Sequence, residues 1–160
     1  MPTISRRATE VPLSPFRKLV PFADEAKAKG IHVYHLNIGQ PDIPTPPAAL
    51  AALKKTDLKI LAYSPAVGNL SYREKLVDYY RQFEVDVNPS EIIVTTGASE
   101  GIQMMFYACL DRGDEIIIPE PFYANYNGFA QIADVNIKPV PTYIESGFAL
   151  PPIHTFEEQI

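Results

Sequence analysis

The stretch that decides the fold is residues 91–140, EIIVTTGASEGIQMMFYACLDRGDEIIIPEPFYANYNGFAQIADVNIKPV. Residues 91–96 are rich in β-branched side chains and read as a strand. Gly97, Ala98 and Ser99 turn the corner. Residues 100–110 form a mostly apolar helix, stopped at Gly113. Residues 115–118 read as a second strand bounded by Pro119 and Pro121. A helix over 123–133 and a third strand over 135–140 follow. Strand–helix–strand–helix–strand predicts an α/β fold with a parallel sheet and right-handed crossovers. The apolar runs IIV and III fit a sheet covered on both faces, a three-layer sandwich with a mostly parallel sheet.

Outward from that stretch the chain is punctuated by proline and glycine. Pro21 suits a first helical position and Gly30 a stop, which predicts a helix over 21–29. Residues 32–36 read as a short strand. Residues 37–47, NIGQPDIPTPP, are a loop. Residues 48–55 form a short helix with basic residues in its last turn. Residues 62–70 are irregular. Ser71-Tyr72-Arg73-Glu74 has the pattern of a capping box, opening a helix to about Phe83 with Leu76, Val77, Tyr80 and Phe83 on one face. Residues 85–90 turn at Asn88-Pro89. Residues 1–13 are expected to be an extended arm tied to a partner. Thr155-Phe156-Glu157-Glu158 is a second capping-box pattern with two residues after it. A helix of about six residues is not stable alone, so the sequence is expected to be a truncated, N-terminal piece of a longer chain.

Composition narrows the function classes. The 160 residues, 46% hydrophobic and 21% charged, can close a core and are too apolar for a disordered chain. A net charge of −5 argues against a nucleic-acid binder. The single cysteine, Cys109, precludes an internal disulfide framework and suits a reducing, cytoplasmic setting. It lies in an apolar helix and is expected to be a buried small hydrophobe. No run of 18 apolar residues is present, and the N-terminus has no apolar core of a secretory signal. Proline, 16 of 160, is twice its average share of about 5% and clusters at turns.

Three segments could carry chemistry. Thr95-Thr96-Gly97-Ala98-Ser99-Glu100 sets a strand end, a glycine turn and a helix start together, which aims backbone N–H groups and a positive dipole end at an anion. Gly97 allows close backbone approach and the Ser99 hydroxyl adds a donor. Pro121-Phe122-Tyr123-Ala124-Asn125-Tyr126 follows a strand, where ligands bind in open α/β sheets and aromatics stack on flat rings. Asn37-Ile38-Gly39-Gln40-Pro41-Asp42 is a proline-fixed loop with backbone donors. Each has a plainer reading: a capped turn, a core aromatic cluster, a connecting loop. His32 and His35 fall on opposite faces of a strand and make no metal pair. The familiar nucleotide loops GxGxxG and GxxxxGK[ST] are absent. No lysine stands in the desolvated setting a Schiff-base amine needs.

In order, LNIGQPDIPTP, AYSPAVGNLSYREKL, IIVTTGASEGIQ and GDEIIIPEPFYANY resemble the N-terminal part of class I/II, fold-type I pyridoxal-phosphate-dependent aminotransferases, on the aspartate aminotransferase side. The resemblance runs from about Ser14 to Ile160. It implies that residues 1–45 supply an arm, a helix and a substrate loop to a small domain. Residues 46–160 would then begin the cofactor-binding major domain. It implies that Gly97, Ala98 and Ser99 cradle the phosphate of pyridoxal 5'-phosphate and that Tyr123 stacks on its ring. Gly39 would lie against the substrate carboxylate, and Tyr63 would reach the cofactor phosphate of the partner subunit. A homodimer would form through residues 1–13 and the Tyr63 loop. The substrates implied are small molecules, an amino acid, aspartate by resemblance, and a 2-oxo acid. The family's Schiff-base lysine, ring-nitrogen aspartate and carboxylate-binding arginine have no counterpart within residues 1–160. No catalytic residue is therefore assigned here, and the piece alone is expected to be inactive. A phosphate-ligand binding module without catalysis, and a lyase or decarboxylase of the same fold, share these motifs.

Overall fold

The computed structural model describes residues 3–12 and 14–160. These fall into two compact units, residues 1–37 with 99–160, and residues 38–98.

The first unit holds the sheet. Strand β1 (Glu115–Glu120) pairs in parallel with β2 (Asn136–Pro141), Ile116 opposite Ile137 and Pro119 opposite Val140. Seven helices are used below: α1 (Arg6–Glu10), α2 (Val20–Ala28), α3 (Pro47–Lys54), α4 (Leu70–Arg81), α5 (Gly97–Cys109), α6 (Asn125–Ala133) and α7 (Ile153–Glu157). Helix α6 is the crossover between the paired strands, as parallel pairing requires. Phe106 from α5, Ala130 from α6 and Val135 form the buried cluster, joined by Ile102, Leu110, Ile116, Phe129, Ala133 and Ile137. Val140 on β2 is fully covered, 0% exposed. The α/β class and the parallel sheet thus follow from the apolar patterning of residues 100–140.

Helix ends show how the chain is steered. Gly30, at φ +77°, closes α2, with its N–H donating to Lys27 O at 2.9 Å and Ile31 N–H to Ala26 O at 3.0 Å. Helix α6 ends the same way on a residue other than glycine. Asp134 sits at φ 63°, Val135 N–H donates to Ala130 O at 3.0 Å, and the Val135 side chain drops into the core. Across the ladder Lys138 Nζ meets Glu115 Oε1 at 3.0 Å.

Several expectations are corrected. Residues 92–95 are not a strand. Among the described residues the sheet has two strands, and a β-branched run without a ladder partner does not form a strand. Residues 32–36 also have no ladder partner among the described residues, so the two histidines do not face opposite sides of a sheet; His32 instead meets Tyr34 edge-on at 4.5 Å. The arm is not extended throughout. Within its described part Ser5 Oγ accepts from Ala8 N–H at 3.2 Å and starts α1, which Arg6–Glu10 pairing at 2.7 Å supports and which packs against α6. Residues 1, 2 and 13 of that arm lie outside the described residues. Neither proposed capping box forms, because the helices begin earlier: Asn69 precedes α4 and Pro152 precedes α7, leaving Ser71 and Thr155 inside them. The reciprocal clip occurs instead at Asn88, whose N–H donates to Glu91 Oε2 at 2.7 Å. Cys109 is exposed, not buried, at the last position of α5.

Candidate functional site

Helix α5 opens at Gly97, so the turn and the helix start coincide. Gly97 is left-handed at φ +77°, and a Cβ built there would meet nothing within 4 Å, so no side chain stands between a ligand and the turn. Its N–H donates to Thr95 O at 2.9 Å, while Thr95 Oγ1 donates to Gly97 O at 3.0 Å. This pair of bonds fixes the turn from behind. Ala98 is exposed and Ser99 half-buried in the first turn, where a helix leaves N–H groups without intrahelical partners. A 13-residue helix with such a first turn suits a phosphate dianion.

Tyr123 lies between the end of β1 and the start of α6. Its Oη accepts from Asn125 Nδ2 at 2.7 Å, and its ring stands edge-on to Tyr126 at 5.9 Å. The ring is half exposed, so aromatic surface remains available to a flat ligand. Phe122 packs on the other flank of Tyr126, also at 5.9 Å. The plainer reading of this segment as a core cluster thus holds for Phe122 and Tyr126, which are half-buried, more than for Tyr123.

Gly39 is exposed with nothing within 4 Å of a built Cβ, and the Tyr63 side chain stands in solvent. Gly39, Tyr63, Gly97 and Ala98 belong to the unit of residues 38–98, and Ser99 and Tyr123 to the other. Seven of the eight lysines are exposed, and the eighth, Lys138, is half-buried and paired with Glu115. None offers a desolvated amine. No group of three or more His, Cys, Asp or Glu able to hold a metal occurs among the described residues. Sequence reasoning missed two residues here: Thr95 as a brace for the turn and Asn125 as the partner of Tyr123. The signal for Asn125 was present, two residues beyond the tyrosine on the same short loop.

A parallel βαβ unit with an accessible aromatic after its first strand is one feature of folds that hold phosphorylated ligands, and a helix opening on a left-handed glycine is another. The profile of the aminotransferase class I and II family matches residues 31–152, and the chain belongs to that family. It is similar to an aspartate aminotransferase of Pyrococcus horikoshii, 33% identical over 157 residues, covering 97% of this chain and 39% of that protein. An LL-diaminopimelate aminotransferase of Desulforudis audaxviator is 34% identical over 149 residues, covering 90% of this chain and 38% of that protein. Among solved structures, an aspartate aminotransferase of Thermotoga maritima superposes with a TM-score of 0.85 at 29% identity, over 98% of this chain and 42% of that one. An alanine aminotransferase of Pyrococcus furiosus gives 0.85 at 31% identity, over 99% and 41%. The chain therefore spans about two fifths of the length of these relatives. Class I and II aminotransferases use pyridoxal 5'-phosphate. The phosphate end of that cofactor fits the residues present: the uncrowded surroundings of Gly97, the first turn of α5 and the half-buried Ser99 hydroxyl.

Proposed function

We propose that this chain is the N-terminal part of a pyridoxal-phosphate-dependent aminotransferase subunit that moves an amino group from an amino acid, aspartate as donor, to a 2-oxo acid. The observation that carries the reading is the opening of α5 on Gly97, Ala98 and Ser99 inside the stretch that matches the family. When bound, the cofactor supplies an electron sink for the carbon that loses its proton. The backbone N–H groups of Ala98 and Ser99 and the Ser99 hydroxyl hold the phosphate, over a turn that the Gly97–Thr95 bonds brace. Tyr123, kept in orientation by Asn125, fixes the plane of the ring. The Gly39 backbone approaches the substrate carboxylate. Tyr63 reaches the phosphate site of the partner subunit in a homodimer that the N-terminal arm also joins. Residues 1–45 contribute to a small domain and residues 46–160 begin the major domain. The proton-moving lysine is assigned outside residues 1–160, because the lysines present are exposed or ion-paired. The 160-residue chain alone does not transaminate. No helix among the described residues is long and apolar enough to cross a membrane, and the site of action proposed is the cytoplasm.

The test takes the protein as its source makes it. Its intact mass is compared with 17.8 kDa, and a panel of amino donors is then offered with a 2-oxo acid acceptor. Transfer from aspartate supports the reading. Transfer from another amino acid alone overturns the donor. A decarboxylated or eliminated product replaces transfer by a lyase or decarboxylase reaction. A mass of 17.8 kDa with no turnover leaves a phosphate-ligand binding module.

A further inference from the structure

The segment that delivers Gly97 has no ladder partner among the described residues, so something else must hold it. Within residues 38–98 three contacts do so. Val94 N–H donates to Val67 O at 3.1 Å. Gly68, at φ +91°, packs so closely that a built Cβ would lie 2.5 Å from Val94 Cγ2. Arg73, half-buried in the first turn of α4, then ties both sides together. Its Nε donates to Gly68 O at 3.2 Å and its Nη1 to Pro89 O. Gly68 ends the loop that follows Tyr63. Pro89 opens the turn that feeds residues 92–96, where the Asn88–Glu91 clip sits.

One planar guanidinium thus bridges two backbone carbonyls that are distant in sequence. A guanidinium presents five directed N–H donors in a fixed fork and stays charged at every working pH. A lysine ammonium offers a point charge without that fork. We propose that Arg73 is a positioning residue for phosphate binding. It locks the loop after Tyr63 to the segment that carries Gly97 and Ala98, and so sets the turn before any ligand arrives. The proposal rests on the reading above that this turn holds the cofactor phosphate.

The test uses the protein as its source makes it, with Arg73→Gln, Arg73→Lys and Ser99→Ala. Affinities for pyridoxal 5'-phosphate and for pyridoxal, which lacks the phosphate, are measured by absorbance titration. Arg73→Gln is expected to weaken the phosphorylated ligand about tenfold or more, as expected for losing hydrogen bonds from a charged donor, while pyridoxal changes little. Arg73→Lys should move the same ratio in the same direction. Equal weakening of both ligands would reduce Arg73 to a general structural role and overturn the proposal. Ser99→Ala separates the two ideas. If it leaves the ratio unchanged, the phosphate reading of the turn fails; if it lowers the ratio and Arg73→Gln does not, only the Arg73 proposal fails. Hydrogen exchange of the unaltered protein needs no variant to fold. Inorganic phosphate should slow exchange at residues 65–68 and 92–98 together. Slowing confined to residues 97–99 would contradict the coupling.

Discussion

Two glycines with similar backbone angles should respond very differently to the same added methyl group. Gly97 and Gly68 lie at φ +77° and φ +91°, so alanine at either is strained by about 1–2 kcal/mol in the left-handed region. Around Gly97 a Cβ meets nothing within 4 Å, and that strain is the whole cost. At Gly68 the Cβ would lie 2.5 Å from Val94 Cγ2 and 2.6 Å from Val94 Cβ, distances real side chains do not reach. Forcing a methyl into such a contact typically adds about 1–3 kcal/mol. Gly97→Ala is therefore expected to cost about 1–2 kcal/mol and Gly68→Ala about 2–5 kcal/mol, by adding the contact to the strain. Urea unfolding of the two variants beside the unaltered protein reads the difference. Measured against Val94→Gly alone, adding Gly68→Ala should cost only the backbone strain of about 1–2 kcal/mol, since Val94→Gly removes the Cβ as well as the methyl group that collide. Equal destabilisation by the two alanine substitutions would refute the packing argument, and an undiminished cost of Gly68→Ala beside Val94→Gly would refute its assignment to Val94.

Other expectations follow from the same geometry. Ser99→Ala should weaken pyridoxal phosphate binding by about 1–3 kcal/mol, read by titration; unchanged affinity removes Ser99 from the phosphate turn. Val140→Ala deletes the most deeply covered side chain, 0% exposed, and should cost about 2–3 kcal/mol in thermal or urea unfolding. A loss below about 0.5 kcal/mol would mean that the β2 core is misassigned. The 160-residue chain by itself should self-associate, because Leu36, Ile60 and Leu61 are 95%, 79% and 89% exposed. Sedimentation as a sharp monomer would count against that.

Local order was largely legible in the sequence. Pro21 and Gly30 bracket α2 as expected, and the apolar patterning of residues 100–140 gives α5, β1, α6 and β2 in order. Pairing was not legible. Residues 92–95 have the composition of a strand, but strand formation depends on a ladder, and the Val94–Val67 hydrogen bond makes none among the described residues. Caps were misread for a related reason. Ser71 and Thr155 match a pattern, yet the pattern cannot say which of several adjacent polar residues the chain uses, and the helices had already begun. Cys109 was expected to be buried from its apolar neighbours, but the last residue of α5 faces outward. At the candidate site the turn over Gly97, Ala98 and Ser99 was visible, since glycine before a helix is a local signal. Arg73 was not, because its partners Gly68 and Pro89 lie on either side of it in sequence and meet only in the folded chain.

The apolar cluster has a consequence for the order of folding. All its members fall between Ile102 and Ile137, so closing it requires only short loops and little chain entropy. By that logic β1, α6 and β2, with α5 laid over them, form the nucleus, and amides there become protected from exchange first. Residues 38–98 contribute no member to that cluster and are organised later. The cluster then closes before the turn over Gly97 and Ala98 acquires a fixed shape, so substitutions that loosen residues 38–98 should alter that turn and leave the cluster's early protection intact.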